Sequence, residues 1–144
     1  MFVVHKHILV AIDGSAMEGK VIANAVEEAK LKQASLTVVR ILDTPSYLLN
    51  SPRLMKMMEG TRKYLIEELA NIKQDIAQTL PEENLSVIVS YGNPKQQIIA
   101  FAKEPERAID LIVIGATGES EETLAGSTTT YLINRAPCDV LVVR

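Results

Sequence analysis

Five short runs of apolar and β-branched residues recur along the chain, and a longer segment with helical spacing separates each run from the next. The first run, residues 7–12, is continuously apolar and is closed by Asp13, Gly14 and Ser15. Such a run between turn residues predicts a strand that is buried on both faces. The same pattern predicts further strands at 35–42, 85–90, 109–114 and 139–143.

The segments between these runs predict four helices. The first covers about residues 16–33, and the spacing of Ser15 and Glu18 predicts a capping box at its start. A long amphipathic helix follows over about 53–79, and we expect Gly60 to kink or interrupt it. Two shorter helices are predicted at 94–103 and 127–135.

Strands that alternate with helices in this way predict an α/β fold with one parallel sheet and right-handed crossovers. The economical arrangement is a single doubly wound domain, residues 1–144, with strand order 3-2-1-4-5 and helices on both faces. In that order strands 1 and 4 are neighbours, and ligands bind beyond their carboxyl ends. Asp13 follows strand 1 and Gly115 follows strand 4, so these residues should meet there.

Composition narrows the classes of protein that the chain can represent. It has 144 residues, is 47% apolar and carries a net charge of −3 with both signs interspersed, which argues against nucleic acid as a partner. No segment has the length of a membrane span, and we expect no signal peptide and a cytoplasmic location. The one cysteine, Cys138, cannot form an internal disulfide, and we interpret it as a small buried apolar residue.

A glycine-containing loop supplies the strongest candidate binding motif. Gly115-Ala-Thr-Gly118 is followed, after seven residues, by Gly126-Ser127 at the start of the last helix. Glycines and a helix N-terminus expose backbone N–H groups, and the hydroxyls of residues 127–129 add donors, so the pattern predicts an anion site. The alternative is that the glycines only let the chain bend. Asp13 likewise either accepts hydrogen bonds from ribose hydroxyls or only shapes the turn after strand 1.

Three segments together resemble the universal stress protein family. They are Ile-Leu-Val-Ala-Ile-Asp-Gly-Ser at 8–15, the glycine motifs at 115–118 and 126–127, and Ala-Pro-Cys-Asp-Val-Leu-Val-Val-Arg at 136–144. The resemblance covers essentially the whole chain. It implies a flavodoxin-like sheet, a homodimer formed through the last strand, and a stress-response role with or without ATP, since the family has both branches.

The resemblance also implies a set of binding residues. Matched position by position, it places Ile12, Asp13 and Ile41 at the adenine and ribose of ATP or AMP. It places five residues at the phosphates: Gly115, Gly118, Gly126, Ser127 and Thr128.

The loop between the glycine motifs departs from the ATP-binding branch. Its seven residues are fewer than that branch usually has, and they include Glu119, Glu121 and Glu122 but no lysine or arginine. We therefore expect weak ATP binding that needs Mg²⁺ to bridge the phosphates, no catalytic residue, and at most slow, incidental hydrolysis. The alternative is a dimeric interaction protein of the same fold that binds no nucleotide.

His5 and His7 alternate at the start of the first strand. Two such ligands without a third do not make a metal site, so we predict no metal centre and a solvated pair of histidines.

Overall fold

A computed structural model describes residues 4–116 and 126–144. Within them the chain forms one five-stranded parallel sheet with the order β3-β2-β1-β4-β5. The strands are β1 (His7–Ile12), β2 (Ser35–Asp43), β3 (Leu85–Gly92), β4 (Leu111–Gly115) and β5 (Asp139–Val143). The predicted fold class and strand order are confirmed.

Five α-helices connect the strands in the described part of the chain. They are α1 (Glu18–Lys32), α2 (Ser46–Leu49), α3 (Pro52–Ile76), α4 (Pro94–Lys103) and α5 (Ser127–Arg135). The sequence pattern did not predict α2 or the 3₁₀ turn Glu82–Asn84. Both are too short to show a helical period of apolar residues. No helix among the described residues is both long enough and apolar enough to cross a membrane.

Helices cover both faces of the sheet, each over its own apolar cluster. Buried residues of α1 and α3, among them Ala25 and Leu69, pack on one face with Val10 and Val38. On the other face, Ile98 of α4 and Leu132 of α5 pack with strand residues that include Leu9 and Ile112. Side chains of one strand therefore alternate between the two clusters, as in a sheet that is buried on both sides.

The predicted capping box at Ser15 and the predicted interruption of the long helix at Gly60 are wrong. Ser15 does not form a capping box. Its hydroxyl accepts from the N–H of Met17, and Met17, the residue that precedes α1, makes no side-chain cap. Helix α3 runs through Gly60 without interruption. A β-carbon at Gly60 would meet nothing within 4 Å, so packing does not require a glycine at this exposed position.

The histidines at the amino end of the sheet are also not a solvated pair. The His5 side chain is only 12% exposed; its Nε2 lies 2.8 Å from Asp139 Oδ2, and Lys32 Nζ lies 2.8 Å from its Nδ1. His7 Nδ1 lies 2.8 Å from the hydroxyl of Ser35. Strands β2 and β5 and helix α1 supply these partners, which the sequence pattern alone could not place. Among the described residues, no group of acidic, histidine or cysteine side chains is arranged to hold a metal ion.

Candidate functional site

A cavity of about 580 Å³ opens at the carboxyl end of the sheet, where β1 and β4 lie side by side and their helices leave in different directions. This volume is in the range of small-molecule sites. The cavity is lined by seven residues that the sequence pointed to: Ile12, Asp13, Ile41, Gly115, Gly126, Ser127 and Thr128. Gly118 and the glutamates at 119, 121 and 122 lie outside the described residues.

One wall of the cavity is apolar. Ile41 at the end of β2, Ile98 of α4 and Ile114 of β4 are all buried and belong to the same apolar cluster. Pro94, the first residue of α4, adds to this wall. A wall of branched aliphatic side chains beside a few polar groups is a usual composition of small-molecule sites.

The two carboxylate oxygens of Asp13 have different surroundings. Oδ1 accepts the N–H of Ser15 at 2.9 Å, which shapes the turn between β1 and α1. In the described part of the chain Oδ2 has no hydrogen-bond partner, and Asp13 is exposed to the cavity. The turn-shaping role and a ligand-binding role are therefore compatible, because each uses a different oxygen.

The turn after Asp13 depends on glycine. Gly14 has a φ of +77°, in the left-handed region that residues with a β-carbon rarely adopt. A β-carbon there would lie 3.1 Å from Arg40 Nη2 and 3.4 Å from Arg40 Cζ. The absence of a side chain at Gly14 therefore lets the Arg40 guanidinium lie against the backbone.

The N-terminus of α5 contributes polar groups to the cavity lining. The first intrahelical bond runs from Thr130 N to Gly126 O, and no side chain among the described residues caps the helix. The N–H groups of residues 127–129 therefore have no partner within the helix and form the positive end of its dipole. The Gly126 N–H is different, because it donates to Ala116 O at 2.7 Å. The available donors thus begin at Ser127.

Short hydrogen bonds hold this helix end against β4 and the end of β4 against β5. The buried hydroxyl of Thr129 donates to Gly115 O at 2.7 Å, and the Ala116 N–H donates to Val143 O at 2.7 Å. Together with the bond from Gly126 to Ala116, they fix both residues that flank the segment 117–125. The Thr129 hydroxyl is therefore engaged within the fold, whereas the described residues offer no partner to the hydroxyls of Ser127 and Thr128.

Charged side chains at the cavity are mostly acidic. Asp13, Glu18 and Asp43 contribute carboxylates, and Arg40 contributes a guanidinium. Burial, followed by the nearby charge of Glu68, raises the pKa of Glu18, while Arg40 acts in the opposite direction and Asp13 adds a smaller upward effect. The sequence reasoning missed Arg40 and Glu18. The one signal for Arg40 was a charged residue inside an otherwise apolar strand.

The sequence and the fold both agree with one family. The model of the universal stress protein family matches residues 5–144. The chain belongs to the universal stress protein family. A Staphylococcus haemolyticus protein named as a universal stress protein is 34% identical over 142 residues, which cover 97% of this chain and 85% of that protein.

Solved structures of the family have the same fold. The universal stress protein UspA from Lactobacillus plantarum is 33% identical, with a TM-score of 0.85 over 99% of this chain and 100% of that one. A universal stress protein solved in complex with cAMP is 22% identical, with a TM-score of 0.70 over 99% of this chain and 98% of that one. One from Archaeoglobus fulgidus, solved with dAMP, is 20% identical, with a TM-score of 0.59 over 99% and 100%.

Proposed function

We propose that this cytoplasmic universal stress protein binds an adenine nucleotide, ATP or AMP, in the cavity at the carboxyl end of the sheet. The observation that carries the proposal is the convergence of three groups on one cavity: an apolar wall at Ile41, the Asp13 carboxylate, and the uncapped N-terminus of α5. Adenine packs on the apolar wall, ribose hydroxyls donate to Asp13 Oδ2, and phosphate oxygens accept from the N–H groups that begin at Ser127. Relatives solved with cAMP and dAMP support the choice of an adenine nucleotide.

The site is suited to binding rather than to turnover. Arg40 is the one basic residue among the described residues that line the cavity, and it lies at β2, on the ribose side, whereas the terminal phosphate of ATP is assigned to the start of α5. Stabilising a transferring phosphoryl group requires cations at the reacting phosphate. We therefore propose that nucleotide occupancy controls association with other molecules and that any hydrolysis is slow and incidental.

The direct test is mass spectrometry of the natively purified protein, followed by calorimetric titration with ATP and AMP. We expect co-purified adenine nucleotide and no measurable binding to the Gly126→Val variant, whose branched side chain would cover the donors at the start of α5. Gly60→Val is the matched control, because Gly60 lies on an exposed face of α3. Equal affinity of both variants would place the ligand elsewhere.

We further propose that Mg²⁺ bridges the phosphates of bound ATP. Three carboxylates line the described part of the cavity, and the sequence adds Glu119, Glu121 and Glu122, so the charge of a triphosphate needs compensation. Chelation of Mg²⁺ should weaken ATP binding but leave AMP binding nearly unchanged. The triple replacement of those glutamates by glutamine should reduce the dependence on Mg²⁺. If wild type binds ATP equally well in chelator, Mg²⁺ has no such role.

The second proposed property is a homodimer through β5. This strand pairs with β4 on one side only, and Val140, Leu141 and Val142 remain partly exposed. Apolar edge strands pair readily with other chains. A protein of this family that binds no nucleotide would still have this surface, so dimerisation is also the basis of the alternative function, a dimeric interaction protein.

Light scattering with size exclusion tests the dimer. We expect a dimer for wild type at tens of micromolar, monomer for Val142→Lys, and dimer for Val87→Lys, which changes a half-buried valine on the opposite edge strand, β3. Circular dichroism checks that both variants fold. A monomeric wild type, or two variants that behave alike, would contradict the assignment to β5.

A further inference from the structure

Arg40 is an unexpected residue in a buried parallel strand. It lies in β2 directly opposite Ile12 of β1, and its flanking residues Val39 and Ile41 are buried. Arg40 itself is half-buried and reaches the cavity. It is the only basic residue of the described cavity lining, and so it alone adds a full positive charge to that part of the site.

The backbone beside Arg40 fixes where its guanidinium lies. Nη2, Cζ and Nη1 of Arg40 lie 3.1, 3.4 and 3.5 Å from the position that a β-carbon on Gly14 would take. Gly14 follows Asp13, the carboxylate that we assign to the ribose. The guanidinium is therefore held at the ribose end of the proposed ligand, and not at the start of α5.

The guanidinium forms no hydrogen bond and no ion pair with any residue that the structure describes. The nearby carboxylates of Asp13 and Glu18 are not within salt-bridge distance of it, although Arg40 does lower the pKa of Glu18 against the larger effects of burial and Glu68. Arg40 therefore acts on the carboxylates through space, without a direct bond to either of them. Its planar fork of N–H donors thus remains available to a molecule in the cavity.

We propose that Arg40 binds a phosphoryl group of the bound nucleotide on the ribose side, and so selects nucleotides over the nucleoside. The inference rests on the proposed function. A guanidinium matches two oxygens of a phosphoryl group in one plane, which a ribose hydroxyl or an adenine nitrogen does not offer. In doubly wound NADP sites an arginine near the ribose likewise accommodates a phosphate on the ribose, there the 2′-phosphate.

Two positions of the phosphoryl group satisfy this chemistry. A 5′-phosphate reaches Arg40 if it turns back from α5, whereas a cyclic 3′,5′-phosphate carries the charge on the ribose itself. Titration with adenosine, 5′-AMP and 3′,5′-cAMP distinguishes these sources, since both nucleotides contain the same base and sugar as adenosine.

The test compares wild type with Arg40→Gln by calorimetry. We expect adenosine affinity to change by less than about twofold and the affinity for at least one of the two nucleotides to fall about tenfold or more, since a charge-assisted hydrogen bond is lost. Arg40→Lys should recover only part of the affinity, because lysine keeps the charge without the fork. Arg62→Gln, an exposed change of equal charge on α3, is the control and should leave all three affinities unchanged.

Two outcomes overturn the proposal: an equal loss for adenosine and both nucleotides, which would make Arg40 a residue that only positions Asp13, or no loss for any ligand.

A second measurement separates failure here from failure of the proposed function. Inorganic phosphate is titrated while the Arg40 Nε–H signal is followed by NMR. If wild type binds no nucleotide but phosphate shifts this signal, only the nucleotide function fails; if the signal does not move, both fail.

Discussion

At the amino end of the sheet the polar side chains bind one another, whereas at the carboxyl end most of them face a cavity. Asp110 accepts from the N–H groups of Lys6 and His7 at 2.8 and 3.0 Å, and His5 lies between Asp139 and Lys32. In contrast, the carboxyl end has Arg40 and one oxygen of Asp13 without partners in the described residues.

The comparison teaches where to look for function in a fold of this kind. Both ends carry charged residues, so charge alone does not mark a site. The two ends differ in whether their polar groups have hydrogen-bond partners within the chain. Groups that have such partners contribute to stability, while groups that remain available can bind a ligand. Substitutions at the amino end should therefore change the stability of the fold, and substitutions at the carboxyl end should mainly change binding.

The largest expected effect is at Asp110. Asp110→Ala removes the acceptor of two backbone N–H groups, one of them partly buried, so we expect the free energy of unfolding to fall by about 2–3 kcal/mol. Asp43→Ala is the matched change at the carboxyl end. Asp43 is exposed, and its loss should alter stability by less than about 0.5 kcal/mol. Urea denaturation of both variants measures the difference, and equal losses would remove the contrast between the two ends.

Gly14 is the exception that sharpens the contrast, because it belongs to the cavity and yet should affect stability. Gly14→Ala forces a β-carbon into a left-handed conformation with φ +77° and against Arg40, at a cost of about 1–2 kcal/mol. Gly19→Ala in α1 is the control, since a β-carbon there meets nothing within 4 Å. It should stabilise the helix by about 0.5–1 kcal/mol. If Gly14→Ala left the stability of the fold unchanged, the turn would have to relax around the new β-carbon.

Sequence reasoning found the sheet because its signals are local. A continuous apolar run such as residues 7–12 specifies a buried strand by itself, and the handedness of the crossovers restricts the order of the strands. The positions of Asp13 and Ser127 followed from that order. Their role as ligand residues stays a prediction.

The side-chain contacts that escaped the sequence depend on neighbours in space. In the sequence Arg40 is one polar residue in a strand, and only the structure of the turn at Gly14 shows that its side chain reaches a cavity. The sequence pattern predicts a solvated His5, whereas in the structure Asp139 of β5 and Lys32 of α1 lie within hydrogen-bond distance of its ring. Long polar side chains take their direction from tertiary contacts, which no periodicity encodes.

A smaller effect is expected from Glu18 at the cavity. Burial and the charge of Glu68 raise its pKa in the folded protein, so the unfolded chain releases this proton at lower pH than the folded chain does. Stability should therefore decline as the pH rises from about 4.5 through the raised value. Glu18→Gln removes this decline and should stabilise the protein at pH 7 by only about a few tenths of a kcal/mol, because solvent screens the group. Thermal unfolding at pH 4 and pH 7 checks the sign: a variant advantage that is larger at pH 4 would contradict it.

The smallest effect concerns the thiol of Cys138, which lies at the amino end just before β5. Burial, and then the charges of Asp110 and Asp139, raise its pKa to about 11, so at pH 8 only about one folded thiol in a thousand is ionised. Because the thiolate is the nucleophile, iodoacetamide should react roughly a hundredfold more slowly with the folded chain than with the chain in urea. Asp139→Asn removes the weakest of the three causes and should raise the folded rate only about two- to threefold. Asp75→Asn, on the exposed side of α3, should leave the rate unchanged.

Folded and unfolded rates that agree would mean that the amino end does not enclose its polar groups as the hydrogen bonds of Asp110 and His5 indicate. A rate that responds to Asp139 but not to Asp75 would instead place the carboxylate close enough to act on the thiol, and would extend the closed network of the amino end to the start of the edge strand.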